Sequence, residues 1–290
     1  MTAAGIALAF LALLGWGFGD FSIQRSTRAV GVWKSLFFIG ILGAVIFLPS
    51  AISDIQTLSA DNFWLLAFLS VVVIATAIVN FKAFRVGKIA IVAPLMGLEL
   101  PLTVALGIFI HGERLSLGQL VLSFMVFLGI VLATVEFEAL GRERKYLIER
   151  GVFLGLFTAV GLALTNFLVG VASQTISPLF TVWFTHTIVA LAALGVLIVR
   201  GEFYALRQRF SEYKKIILAA GILDNTAWLA YSFATTYIPI AIATTISEGY
   251  VALAALLGLL LNHEKLHRHQ MAGVIISIAG ILILSFVSGV

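Results

Sequence analysis

Apolar residues fall along the chain in ten blocks, at about 3–23, 35–52, 62–81, 89–110, 115–135, 151–172, 178–199, 216–236, 240–261 and 271–289. Each is near the roughly 20 residues an α-helix needs to cross a bilayer, so the pattern predicts ten membrane-spanning helices. The connections are short, as at Tyr237–Pro239 between the eighth and ninth blocks. The longest polar stretch, Glu136–Arg150, holds eight charges in fifteen residues and lies near mid-chain. It divides the chain into a five-helix repeat over 1–137, a charged linker over 138–150 and a second five-helix repeat over 151–290.

Composition agrees. Apolar residues make up 61% of the 290 and charged residues 11%, against about 25% charged in a soluble domain, and the mean hydropathy is +1.11. A soluble globular domain, a coiled coil and a disordered chain are excluded. The fold class is all-α integral membrane. A net charge of +4 raises the question of nucleic acid, but the position of the charges answers it. Arg25, Arg28 and Lys34 lie in the first loop, and Lys82, Arg85 and Lys88 in the third. Arg142, Arg144, Lys145 and Arg150 lie in the linker, with Arg200, Arg207, Arg209, Lys214 and Lys215 in the seventh loop. Lys265 and Arg268 lie in the ninth, so 17 of 18 basic residues share one side and only Arg114 lies opposite. The positive-inside rule makes that side cytoplasmic and both termini extracytoplasmic, in the cell membrane. The expected partners are the bilayer, a small solute and protons, with no nucleic acid and no cofactor. Cysteine is absent, which removes thiol chemistry, and Met1–Gly5 shows no basic start of a cleaved signal.

The halves are related. A shift of 151 aligns Ala90-Ile91 with Ala241-Ile242, Glu113-Arg114-Leu115 with Glu264-Lys265-Leu266, and Gln119 with Gln270. It also aligns Gly129-Ile130 with Gly280-Ile281, while a shift of 146 aligns Asp20-Phe21 with Asn166-Phe167. An odd number of helices per half makes the two copies inverted in the membrane. That architecture belongs to alternating-access carriers with a site at the midplane.

The run Gly15-Trp16-Gly17-Phe18-Gly19-Asp20-Phe21 resembles the first-helix signature of the drug/metabolite transporter superfamily, EamA branch. So do His111-Gly112-Glu113-Arg114-Leu115-Ser116 and its copy His263-Glu264-Lys265-Leu266-His267, each followed by an apolar helix containing glycine. The resemblance covers essentially the whole chain as two repeats. It implies a ten-helix secondary transporter, often an exporter of amino acids, amines or other small metabolites. Members are often drawn with both termini inside, whereas the loop charges here place them outside.

Four acids interrupt apolar segments: Asp20, Glu99, Asp224 and Glu248. An acid at a helix centre costs about 2.5–3.5 kcal/mol on insertion scales, so intramembrane acids mark ion or substrate paths. Glu99 and Glu248 sit deepest. Trp16, Asp20 and Gln24 share one helix face, as do Asp224, Trp228 and Tyr231. An acid beside aromatic rings suits an ammonium group. The expected substrate contacts are Glu248, Tyr250, Trp16, Asp20, Asp224, Trp228, Tyr231 and Asn166, with Asn80 and Asn225 as weaker candidates. Glu99 is the expected proton switch, and His186, beside Thr185 and Thr187, a proton relay. Pro94 and Pro101 bracket Glu99 and predict a bend that gates the site.

His263-Glu264-Lys265-Leu266-His267 also matches the zinc-protease pattern. The first repeat has Gly112 and Ser116 in place of the two His residues, so the shared part is Glu-basic-Leu, a loop and helix-start device, and no metal is expected. The alternative class is a membrane-embedded enzyme, a metalloprotease at this segment or a transferase using the buried acids.

Overall fold

The computed structural model describes residues 2–56, 58–86, 95–135, 150–261 and 267–289. All regular structure among them is helical, because apolar segments in lipid must satisfy their own backbone groups. The first repeat contains α1 (Thr2–Val30), α2 (Val32–Gln56), α3 (Ala60–Val86), α4 (Glu99–Phe109) and α5 (Leu117–Thr134). The second contains α6 (Arg150–Thr175), α7 (Pro178–Val199), α8 (Ala205–Tyr237), α9 (Ile240–Ser247), α10 (Tyr250–Leu261) and α11 (Arg268–Gly289). Among the described residues, nine spans are long and apolar enough to cross a membrane, α9 and α10 together making one; α4 is shorter.

Helix starts follow their local sequence. Ser116 caps α5 in a capping box with Gln119, and Ser177 caps α7 just before Pro178, the position where a missing N–H costs least. At α11 the His267 N–H donates to Gln270 Oε1 at 2.9 Å, as the Ser116 N–H does to Gln119 Oε1 at 2.9 Å. The repeated glutamines thus start equivalent helices. His263 and Glu264 lie outside the described residues, as do Pro94 and the linker up to residue 149.

The packing is two-fold symmetric. Helix α1 packs most extensively on α8, and its counterpart α6 on α3. Helix α2 packs on α7 and α5 on α11, each pair being equivalent segments of the two repeats. At the α5–α11 crossing the Ser277 hydroxyl donates to the Val126 carbonyl at 3.4 Å, across a separation of 151 residues. A residue therefore touches its own repeat mate, which places the pseudo-two-fold axis at this crossing. Glycine allows the approach: a Cβ on Gly129 would lie 2.7 Å from the Ser277 backbone N and 2.8 Å from the Gly273 carbonyl oxygen. Gly15 does the same for α1, since its Cβ would fall 2.8 Å from Ala227 Cβ on α8. Small residues that let backbones meet are the main device for association in lipid.

Two spans depart from the predicted continuous helices. The fourth turns at Gly97–Leu98 before α4, and the ninth turns at Glu248–Gly249 between α9 and α10. The two breaks are superimposable under the 151 shift. Leu98 N bonds Leu95 O and Leu100 N bonds Gly97 O; Gly249 N bonds Ile246 O and Val251 N bonds Glu248 O. Each break is a tightened turn with i→i−3 bonds, which keeps backbone groups satisfied where the helix axis shifts. Pro101 accordingly lies in the first turn of α4, where its missing N–H has no helical partner to lose, rather than at a mid-helix kink.

Candidate functional site

The deepest acids sit at the breaks. Glu248 is 3% exposed and sits in the second break, and Glu99, 5% exposed, opens α4 just after the first. Helices α4 and α9, at whose ends the two acids sit, pack on each other. Asn166 on α6 donates to Glu248 Oε1 at 3.4 Å. The Tyr231 hydroxyl pairs with Thr244 Oγ1 at 2.8 Å and donates to the Asn166 carbonyl at 3.0 Å. Glu99 Oε2 is buried with no hydrogen-bond partner among the described residues. An unspent acceptor in a buried site is unusual enough to require a use.

Beside the acids lies a cluster of four rings. Trp16 meets Trp228 edge-on with centroids 5.0 Å apart, Tyr231 at 5.6 Å and Tyr250 at 6.0 Å. On α1 the lipid-facing side carries Leu11, Leu14 and Phe18, all exposed, while Trp16 and Asp20 project from the opposite side, inward. Asp20 is nevertheless exposed, whereas Trp16 is 8% exposed. On α8 the same gradient runs from half-buried Asp224 and Trp228 to fully buried Tyr231. Asp20 and Asp224 thus lie toward the basic-loop ends of α1 and α8, and the buried rings lie deeper along the same helices.

His186 on α7 reaches Asp224. Its Nδ1 lies 2.9 Å from the Val182 carbonyl and its Nε2 3.4 Å from Asp224 Oδ2. The Val182 contact needs a proton on Nδ1, which leaves Nε2 of a neutral ring as an acceptor. The contact with Asp224 therefore requires one further proton, on the ring or on the carboxyl. Asn225 has a different duty: its Nδ2 donates to the Ile39 carbonyl at 3.0 Å and ties α8 to α2. Asn80 Oδ1 is buried with no partner among the described residues.

The opposite end is sealed. All eight residues of α9 are buried. The Glu113 carboxylate accepts from the backbone N–H groups of Ile240 and, at 3.0 Å, Ala241, the first two residues of α9. His111 Nε2 lies 2.7 Å from Gln174 Oε1, and Gln174 Nε2 donates to the Thr235 carbonyl at 2.6 Å. Outside this seal is a shallow cavity of about 380 Å³ bounded by His111, Glu113, Gln174 and Thr236. The conserved spacing of Glu-basic-Leu in both repeats was visible in the sequence, but its target, a helix start in the other repeat, was not. On the basic face, Lys34 pairs with Glu202, whose carboxyl it holds below the ordinary range.

Among the described residues no three His, Asp or Glu side chains come together as a metal cage. Of the expected site residues, the structure brings together Glu99, Glu248, Asn166, Trp16, Trp228, Tyr231 and Tyr250, with Asp20, Asp224 and His186 adjoining them.

The EamA-like transporter family matches residues 3–135 and 149–286. A solved structure, described only as a crystal structure of a protein, superposes with a TM-score of 0.73 over 100% of both chains at 14% identity. That likeness concerns the fold alone. No curated protein matches the chain.

Proposed function

The chain belongs to the EamA-like transporter family, and from that premise we propose a secondary carrier that exports a small cationic or zwitterionic metabolite, amine or amino acid in class, in exchange for protons. Family membership makes it a multi-pass membrane transporter of the drug/metabolite transporter superfamily. In our reading the basic face is cytoplasmic and both termini are extracytoplasmic. The described conformation is then open to the cytoplasm and sealed outside, one of the two states alternating access requires.

The observation that carries this reading is the burial of Glu99 and Glu248 at matching helix breaks, on helices that pack together. Two carboxyls in one buried site compete for one proton, and a solute cation competes with that proton for the same negative charge. Glu99, with its unspent oxygen, acts as the proton switch. Glu248 and Tyr250 hold the solute, with Asn166 orienting Glu248 and Trp16, Trp228 and Tyr231 forming the floor. Asp20 and Asp224 draw the cation inward along α1 and α8. His186 relays protons through its contact with Asp224. The turn at Gly97–Leu98, just before Pro101, is where the gate bends.

Proteoliposomes test it. Efflux of a labelled amine should accelerate when the external medium is acidified, and the lumen should acidify as solute leaves. Solute flux indifferent to the proton gradient overturns the coupling.

A further inference from the structure

Away from the acids, helices α2, α3 and α7 leave a narrow cleft between them. Trp33 and Leu36 on α2, Ile74 and Ala77 on α3, and Val189 and Ala192 on α7 line it, and its volume is about 40 Å³. That is far below the roughly 300 Å³ at which small-molecule pockets begin, and apolar walls give a polar solute nothing to bond. A methylene chain laid along the cleft suits both its width and its lining. All six side chains are half-buried and lie within membrane-spanning helices, so the cleft is reached sideways, from lipid.

Its basic-face end carries a charge. Helix α2 begins there and α7 ends there, and the Arg200 guanidinium stands over the Trp33 ring, 5.7 Å from its centroid. Arg200 is exposed. The nearby Glu202 carboxylate is already paired with Lys34 and also feels Arg200, so two cations act on one acid and a positive charge is left over. Further along, Glu212 is paired with Arg209, and from Arg200 to Lys215 five basic residues stand against two acids. Phe203 and Tyr204, next to the tie, are exposed aromatic residues of the kind that settle at the level of lipid headgroups. A planar guanidinium at that depth matches a phosphate group, which it can hold through two parallel hydrogen bonds.

We propose that the cleft and Arg200 form a binding site for an anionic phospholipid of the leaflet at the basic face. One acyl chain lies between α2, α3 and α7, and the phosphate rests on Arg200. The leftover charge selects a headgroup with net negative charge over a zwitterionic one, whose own ammonium it repels. The site depends on the membrane location alone and is independent of the solute the carrier moves.

Native mass spectrometry of the purified full chain, titrated with dioleoylphosphatidylglycerol or dioleoylphosphatidylcholine, tests it. The two lipids share chains and phosphate and differ in net charge. The anionic lipid should bind about 5-fold more tightly, the scale of one basic side chain at a bilayer surface. Arg200→Gln should erase that preference, whereas Arg207→Gln should keep most of it. Ala77→Leu and Ala192→Leu, which narrow the cleft from opposite walls, should weaken both lipids; if one of them fails to fold, the other reads the same contact. Equal affinity for the two lipids, or a preference that survives Arg200→Gln, overturns the proposal. So does lipid binding that both leucine variants leave unchanged. Displacement of the lipid by inorganic phosphate at equal concentration would mark a site for a free anion and overturn it as well.

Discussion

The break before α4 and the break between α9 and α10 have one backbone and two different chemistries. Their hydrogen bonds correspond residue for residue under the 151 shift, yet their acids do not. Glu248 lies within its turn, while Glu99 lies two positions further along its own repeat, facing Tyr250 in the alignment. Glu248 has Asn166 as a hydrogen-bond donor, and Glu99 keeps an oxygen unpartnered among the described residues. The backbone needs the symmetry, since the inverted repeat must be able to exchange its open and sealed ends. In the carrier proposed above the side chains need the asymmetry, since proton and solute are handled by different groups.

Replacing each acid by its amide tests that division and should give the largest effects. Glu248→Gln should weaken amine binding by about 2–5 kcal/mol, the cost of removing a buried charge partner. Glu99→Gln should bind with little pH dependence yet fail to use a proton gradient. Calorimetry at two pH values, set beside proton-driven flux, separates the two. If both variants keep wild-type flux and pH profile, the acids are structural and the two breaks do not differ in chemistry.

The breaks differ in packing as well. A Cβ on Gly249 would fall 2.3 Å from Ile281 Cδ1 and 2.8 Å from Leu13 Cδ1, so these side-chain ends must give way to admit a side chain where the fourth span has Leu98. Gly249→Ala should destabilise by about 1–3 kcal/mol through overpacking, read as a lower midpoint of thermal unfolding in detergent. An unchanged midpoint would show that the second break is as loosely packed as the first.

A smaller change is expected at the seal. Glutamine at position 113 has one carbonyl oxygen in place of two carboxylate oxygens, so it cannot serve both Ile240 and Ala241 as Glu113 does. Glu113→Gln should loosen the start of α9 by about 1–2 kcal/mol. Hydrogen exchange over residues 238–247 should quicken while that of α4 stays the same. Equal quickening in both would make the sealed end and the break one cooperative unit.

Which of these features the chain announced follows from their range. Apolar blocks predict spans because lipid imposes a length, and the loop charges gather on one side because the same physics sorts them. Gly129 was legible as the repeat mate of Gly280, though not the close contact it permits. A bend in the fourth span was expected from Pro94 and Pro101, but the matching turn at Glu248–Gly249 in the ninth was not, since hydropathy does not sense a shift from i→i−4 to i→i−3 bonding. Nor was the packing of α4 on α9, the helices that carry Glu99 and Glu248, which depends on how the inverted repeats cross. Glu113 escaped because its partners are backbone N–H groups more than a hundred residues away, which leave no mark in side-chain pattern.

The smallest expected effect lies at the basic face, where Lys34 and Glu202 tie the start of α2 to the turn between α7 and α8. Here a carboxylate is held by a lysine, whereas at the sealed face Glu113 is held by backbone N–H groups. Because the Glu202 carboxyl is held below its ordinary value of 4.5 by Lys34, it binds fewer protons in the folded chain than in the unfolded one as pH falls. The pair's contribution to stability is therefore complete above about pH 4.5 and is lost progressively as the pH drops through the lowered folded value. Glu202 is well exposed, so solvent and salt screen the interaction and the effect on stability is slight. Glu202→Gln should lower the unfolding midpoint slightly at neutral pH and low salt, with the difference shrinking as the pH falls through the lowered folded value and in high salt. Proton-driven flux should be unaltered throughout, since the pair lies outside the acid and aromatic centre. A loss of flux with an unchanged midpoint would instead assign the tie to the opening of the basic face, and the contrast between the two breaks would no longer account for the transport cycle alone.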